Sequence, residues 1–386
     1  MANTSGAIEP VKVAVYGAGL VGSYLAGMIA GHSLTTHSQV SLICRQSLAE
    51  HIKNNQNTLE VTSQFGGDGS HIPRTTFAVP ANQLNIISDP IVSGGGLLGL
   101  KARGFKPQFL VITMKRISVQ TAINEMKLAG IDSATKSKEG DDWFWKDTCI
   151  VTIQNGVDPS RIILDSLGND LNVIDGMFPF NVANFNNNAA HFEQGSSGLL
   201  YVSDTTHGRV LAKLLTASGV ECKTHADMKA IQYGKLLMNL NNAISALSAI
   251  PLKRELSQFQ YRKILSQNMG ETLQVFRAAG ITPHSFTKFP YSIVTAVIVA
   301  PDYIFSRISG FFLAVSDSAT SSMYEDLAAN RDTEIDFLQG HISALGKQYR
   351  VETPVTDRIV KLIREVEGKK QGLVAHTGNE IYKEGS

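Results

Sequence analysis

An α/β domain followed by an all-α domain is the fold class this sequence predicts, and three observations carry it. Through the first half, short apolar β-branched runs alternate with helical segments, which indicates a parallel sheet covered on both faces. A glycine-rich turn stands directly between the first of these runs and the helix that follows. After about His225 the strand-like runs stop and long helical periodicities take over. The 386 residues suit two domains, placed at 1–226 and 227–386.

Each element has its own signal. VKVAVY at 11–16 reads as a buried strand, and the helix after the turn runs to about Ala30. QVSLIC at 39–44 reads as the second strand. QFLVIT at 108–113 and TCIVTI at 148–153 are two more, each followed by a polar break and a helix. VIDGMFPF, AHFEQ and LLYVSD, between 173 and 204, stand closer together and read as an antiparallel extension of the sheet. Helices are expected at about 227–250, 255–280, 287–300 and 321–348, with a shorter one at 354–367.

Composition excludes several functions. With 43% hydrophobic and 18% charged residues the chain can build a large core. Its 35 basic and 34 acidic side chains leave a charge of +1, which argues against broad binding to nucleic acid or an anionic membrane. A local phosphate site remains open. Cys44, Cys149 and Cys222 are odd in number and far apart, which favours a reducing cytoplasm. The stretch from Val13 to Cys44 has no Lys, Arg, Asp or Glu, but Gly17, Gly19, Gly22, Gly27 and Gly31 interrupt it. MANTSGAIEP has no basic n-region, and SIVTAVIVA at 292–300 is too short to span, so no membrane segment is expected. The histidines form no HExxH or His/Cys cluster, and GSSG at 195–198 lacks nucleophile-elbow spacing. Neither a metal site nor a serine nucleophile is expected.

Gly17-Ala18-Gly19-Leu20-Val21-Gly22 fits G-x-G-x-x-G in the strand–turn–helix context that the pattern requires. The first glycine permits the tight turn and the second lets backbone approach a pyrophosphate. The third lets the helix pack closely on the strand. The diphosphate would rest on the free N–H groups at the helix N-terminus. The second strand ends in Cys44-Arg45, where an NAD site would place an acid for the ribose hydroxyls. An arginine there offers a planar cation to a 2′-phosphate, so NADP(H) is expected; a solvated loop arginine is the alternative. SLTTHS at 33–38 accounts for the long interval before Arg45. Lys115 and Asn155 follow the next two strands and fall at the same carboxyl edge, where open α/β sheets bind ligands. Either alone would read as an ordinary loop residue.

GKLLMNLNNAISALSAIP, 234–251, carries one charge in 18 residues and should be buried on most sides. On a continuous helix Lys235, Asn239 and Asn242 share one face, and Ala246 and Ala249 extend it. An unpaired buried ammonium is costly, so Lys235 must face solvent, a carboxylate or a ligand. Snorkelling from the first turn is the alternative. A partner lies in SSMYEDLAANRDTEIDF: Ser322 and Glu325 match a capping box, and Glu334 falls in line with Leu327 and Leu338 on the expected helix. An Arg331–Glu334 pair within that helix is the plainer reading, and Ser322 is either a cap alone or also a ligand contact.

Together GAGLVG, the MK and QNG segments, KLLMNLNNAISAL and SSMYEDLAANRDTEIDF resemble the ketopantoate reductase (2-dehydropantoate 2-reductase) family. The resemblance implies a Rossmann-type domain joined to an all-helical domain, with the active site in the cleft between them. It implies NADPH-dependent reduction of 2-dehydropantoate to pantoate, a step of pantothenate and coenzyme A biosynthesis. By that resemblance Lys235 matches the catalytic lysine and Glu334 a glutamate close to it. Asn239 matches an asparagine that positions substrate, and Ser322 a serine that binds it. Lys115 and Asn155 match residues beside the cofactor, and Arg45 suits a preference for NADPH. A further asparagine found in some members falls here on Ala243, and Asn242 is the candidate substitute. The chain exceeds typical members at about 84–106, 130–147 and 180–197. A related reductase of another 2-oxo acid or an imine, and an NADP(H)-binding sensor without turnover, are the competing readings; a homodimer is compatible with all of them.

Overall fold

The computed structural model describes residues 10–66, 70–88, 95–287, 289–308 and 319–382. These fall into two compact units. One comprises Met1–Gln154 with Asp158–Met228, and the other Asn155–Val157 with Lys229–Ser386.

In chain order the first unit carries strands β1 Val11–Tyr16, β2 Ser38–Ile43, β3 Thr58–Phe65, β4 His71–Pro80, β5 Ile86–Ile87 and β6 Phe109–Ile112. There follow β7 Cys149–Thr152, β8 Val173–Met177, β9 Val182–Asn184, β10 His191–Gln194, β11 Leu200–Ser203 and β12 Cys222–His225. The main sheet has the order β12-β11-β8-β7-β6-β1-β2-β5. From β5 to β8 every pairing is parallel, and β11 then runs antiparallel to β8. Strand β1 shows why both faces need cover. Val13 and Val15 enter the core beneath helix Leu20–Gly31, while Ala14 and Tyr16 enter the opposite core with helices Val119–Leu128 and Pro159–Leu167.

Two of the three strand-like runs between 173 and 204 extend this sheet, but AHFEQ does not. As β10 it joins a second sheet, β4-β3-β10-β9, packed on helix Leu20–Gly31. A Cβ on Gly27 would lie 2.4 Å from Val61 Cγ1, so the glycine lets this helix approach β3 closely. The hairpin of β3 and β4 was not expected from the sequence. The extra stretches form ordered elements. SLTT forms the short helix Ser33–Thr36, and 180–197 builds β9 and β10. In 130–147, buried Trp143 and Trp145 donate their indole N–H groups to the carbonyls of Gly130 and Ala129 at 2.8 and 2.9 Å. Within 84–106 lie β5 and helix Gly96–Ala102, while residues 89–94 fall outside the described residues.

The second unit is helical: Met228–Asn239, Asn241–Ser248, Leu252–Leu256, Phe259–Ala278, Tyr291–Ile298, Asp302–Ile308, Ser322–Ala328, Gln339–Tyr349, Pro354–Lys369 and Gly378–Tyr382. Two sequence expectations need correction. The helix expected over 227–250 breaks at Leu240, whose carbonyl accepts Gln339 Nε2 at 2.8 Å. The helix expected over 321–348 is not continuous either. It stops at Ala328, Asn330 turns into the left-handed region at φ 53°, and a single 3-10 turn, Ile335–Phe337, precedes the next helix. Arg331 therefore does not pair with Glu334 along a helix. It folds back on buried Asp326, Nε to Oδ1 at 3.1 Å. No described helix is long and apolar enough to cross a membrane.

Candidate functional site

In the first unit the glycine turn sits at the carboxyl end of β1, where neighbours diverge to β2 on one side and β6 on the other. That divergence is the topological switch point at which open α/β sheets take ligands. Each glycine has a separable reason. Gly17 has φ +107°, and a Cβ there would meet Met114 N at 2.5 Å, just past β6. A Cβ on Gly22 would lie 2.4 Å from both Gly17 O and Thr113 Oγ1. Gly19 is different: its φ is an ordinary −80°, and nothing lies within 4 Å of a Cβ placed on it. Neither backbone nor packing in the protein calls for a glycine at 19, so the open space there suits a close ligand. Gly19 is the N-cap of helix Leu20–Gly31, with no capping side chain and no acid in the first turn. The first-turn N–H groups of that helix and its positive dipole end lie beside that space, a fit to a diphosphate. Ala18 and Val21 are half-buried and Leu20 is exposed.

Arg45 lies on the same edge. Tyr16 is paired with Ile43, so the residues after β1 and β2 run side by side, and Arg45 is exposed at the start of helix Gln46–Asn54. Lys115 is exposed directly after β6. The thiols are not nucleophiles: burial pushes Cys44 up to about 11 and Cys149 and Cys222 to about 12. Among the described residues no group of three or more His, Cys, Asp or Glu side chains is placed to hold a metal ion.

In the second unit Lys235 and Asn239 lie one turn apart on helix Met228–Asn239, as expected for i and i+4. Gly234 keeps this helix tight against its neighbour: a Cβ there would meet His284 O at 2.2 Å. Lys235 is half-buried in a crowded setting, and desolvation lowers its ammonium to about 8. Asn239 is buried, and Asn242 is half-buried across the break at Leu240. Ala243 is fully buried and offers no polar group.

The segment 321–337 is built to deliver Glu334. The cap of helix Ser322–Ala328 is Ser321 rather than Ser322. The buried Ser321 Oγ accepts Tyr324 N at 3.1 Å and donates to Asn242 O at 2.9 Å. The capping register is thus one residue earlier than expected, and Ser322 is left exposed in the first turn. After the left-handed Asn330, Thr333 N donates to Glu367 Oε1 at 2.6 Å and fixes the loop. Buried Glu334 then accepts a hydrogen bond from Asn155 Nδ2 at 2.9 Å. Asn155, read from the sequence as a residue at the strand edge, belongs with the helical unit in its contacts and meets the glutamate singled out 179 residues later. Sequence reasoning did not find Ser321, Gln339, Asn241 or Glu255. Asn241 Nδ2 donates to fully buried Glu255 Oε2 at 2.9 Å.

A parallel sheet with this turn at its switch point, followed by a helical unit carrying a desolvated lysine, defines the class of two-domain dinucleotide-linked oxidoreductases. Two family models match: "Ketopantoate reductase PanE/ApbA" over residues 13–206 and "Ketopantoate reductase PanE/ApbA C terminal" over 227–367. The chain belongs to the ketopantoate reductase PanE/ApbA family and is an oxidoreductase of that family. It is 23% identical to a 2-dehydropantoate 2-reductase of Mesorhizobium japonicum over 367 residues, covering 92% of this chain and 98% of that protein. Among solved structures, a PanE/ApbA family ketopantoate reductase from Ralstonia eutropha is similar, with TM-score 0.69 and 23% identity over 94% of this chain and 100% of that one. D-mandelate dehydrogenase with NADH and anilino(oxo)acetate is also similar, with TM-score 0.65 and 17% identity over 93% and 99%. A dimeric ketopantoate reductase from Staphylococcus aureus has TM-score 0.58 and 16% identity over 93% and 100%.

Proposed function

We propose that this chain catalyses NADPH-dependent reduction of a small 2-oxo acid, 2-dehydropantoate to pantoate first among them, with Lys235 as general acid. The observation that carries the reading is the state of Lys235. It is the one charged side chain between residues 234 and 251, and burial brings its proton affinity down to about 8, close to a working pH.

Bound NADPH supplies the hydride that reduces the C2 carbonyl. Gly17, Ala18, Gly19, Leu20, Val21 and Gly22 cradle its diphosphate, Arg45 its 2′-phosphate, and Lys115 lies on the same edge. Negative charge develops on the carbonyl oxygen as the hydride arrives. The Lys235 ammonium stabilises that charge and donates the proton, leaving a 2-hydroxy acid and a neutral amine that solvent reprotonates. Glu334, steadied by Asn155, orients the ammonium and favours its charged form. Asn239, Asn242 and Ser322 hold the substrate's carboxylate and hydroxyl groups.

The glycine turn yields a contrast that separates binding from folding. Gly22→Ala should cost about 1–3 kcal/mol of stability, because its Cβ has no room. Gly19→Ala should cost less, at most about 1 kcal/mol for the poorer N-cap, yet weaken NADPH roughly tenfold or more. Thermal melts and fluorescence titration of both variants check this. Equal stability loss in the two would remove the ligand-space reading of Gly19.

A second reading, reduction of an aryl 2-oxo acid, draws support from the likeness to D-mandelate dehydrogenase. NADPH oxidation with 2-dehydropantoate and a panel of aliphatic and aryl 2-oxo acids, with and without an amine, tests both. The highest kcat/KM should fall on 2-dehydropantoate. An aryl acid winning would shift the substrate, and amine-dependent turnover would shift the reaction type.

A further inference from the structure

We propose that Glu255 is a positioning residue of this reductase: as a protonated acid it closes a two-bond ring with Asn241 and so fixes the helix start between Asn239 and Asn242. The proposal rests on the function given above, in which those two amides hold the substrate.

The geometry begins with one hydrogen bond, Asn241 Nδ2 to Glu255 Oε2 at 2.9 Å, between two buried side chains. The other atoms of these two planar groups, Asn241 Oδ1 and Glu255 Oε1, are both buried without a hydrogen-bond partner. Buried polar atoms are nearly always paired, and two orphaned acceptors on one bonded pair have one economical remedy. A proton on Oε1 makes that oxygen a donor to Oδ1, and both atoms are satisfied at once. Desolvation points the same way, pushing the Glu255 carboxyl up to about 8 against the opposing effect of the Asn241 bond. The surrounding ionisable groups do not replace that proton. Tyr261, from the helix packed against it, donates its hydroxyl to His376 O at 3.0 Å, and burial raises it as well. Lys253 and Arg254, on the same short helix, are exposed, and the buried Arg262 guanidinium is spent on the carbonyls of Leu256, Ser257, Ile298 and Ala300 and on Asp302.

Placement turns this pair into a positioning device. Asn241 is the first residue after the break at Leu240. The carbonyl before it is held by Gln339 and the carbonyl after it by Ser321. The Glu255 ring ties down the side chain between them. Together these three ties constrain how the helix bearing Asn242 continues from the Lys235 helix.

Three variants test this. Glu255→Gln can reproduce both bonds, since its amide donates to Oδ1 and accepts from Nδ2. Glu255→Leu removes both, and Glu255→Asp keeps the acid but shortens the arm. Wild-type-like KM for the 2-oxo acid is expected in the Gln variant. A KM raised about tenfold, with a smaller change in kcat and unchanged NADPH affinity, is expected for Leu and Asp. Hydrogen exchange at residues 240–244 should quicken in Leu and Asp but not in Gln, a readout independent of turnover. If Gln behaves like Leu, the neutral ring is wrong; if Leu or Asp keeps both wild-type KM and exchange, the positioning role is wrong. Should Leu fail to fold, the Gln and Asp comparison decides. Should wild type reduce no 2-oxo acid, the proposed function fails while exchange still judges the pair.

Discussion

Replacing Lys235 with alanine is expected to lower kcat by two or more orders of magnitude while leaving NADPH affinity nearly intact, because it removes only the proton donor. The pH profile adds a sharper signature. Lys235 acts in its protonated form, and its proton affinity is lowered to about 8, so kcat/KM, which reports the free enzyme's groups, should fall as pH rises through about 8. Unfolding through this group is not the cause of that limb. A lysine in the unfolded chain holds its proton to about pH 10.4. Between the two values the unfolded chain binds more protons than the native one, so this group makes stability rise with pH there. Loss of activity with retained melting temperature is therefore the expected pattern. Near-normal turnover in Lys235→Ala would remove the lysine from the mechanism.

Arg45→Ala should weaken NADPH by roughly ten- to a hundredfold, the worth of about 1.5–3 kcal/mol for bonds to a charged group. NADH, which lacks the 2′-phosphate, should change little. The expectation depends on where the strands end. Tyr16 and Ile43 are in register, so an exposed guanidinium just past β2 stands beside the chain leaving β1 at its glycine turn. The helix after it has no acid in its first turn to compete for the cation. Titration with both nucleotides measures the difference, and equal loss for both would defeat the 2′-phosphate role.

What could be read in advance follows from how local the cause is. The β1–turn–helix unit was legible because its strand, its three glycines and its helix are contiguous, and Gly17 and Gly22 answer to contacts close to the turn. Lys235 and Asn239 were legible for the same reason, since one helical turn joins them. The break at Leu240 was not: every residue from Lys235 to Ser248 tolerates a helix, and the interruption is stabilised by Gln339 and Ser321 from distant segments. The stretch 321–348 misled in a different way. Its apolar stripe continues through Leu327 and Leu338, but Asn330 supplies a left-handed residue and Asp326 captures Arg331. Glu334 consequently reaches Asn155 from a loop, a pairing that no periodicity encodes. The β3–β4 hairpin was overlooked because polar Thr62, Ser63 and Gln64 are satisfied inside the second sheet by His191 and Gln194, which join from another part of the chain. The surplus segments contribute two strands of the second sheet, an edge strand of the main sheet and two docked tryptophans.

The decisive measurement is the pH dependence of kcat/KM for NADPH oxidation with the best 2-oxo acid, in wild type and in Lys235→Arg. Wild type should lose activity through about pH 8, and the arginine variant, slower throughout, should show that limb displaced upward or absent. An identical alkaline limb in both proteins would contradict Lys235 as the proton donor.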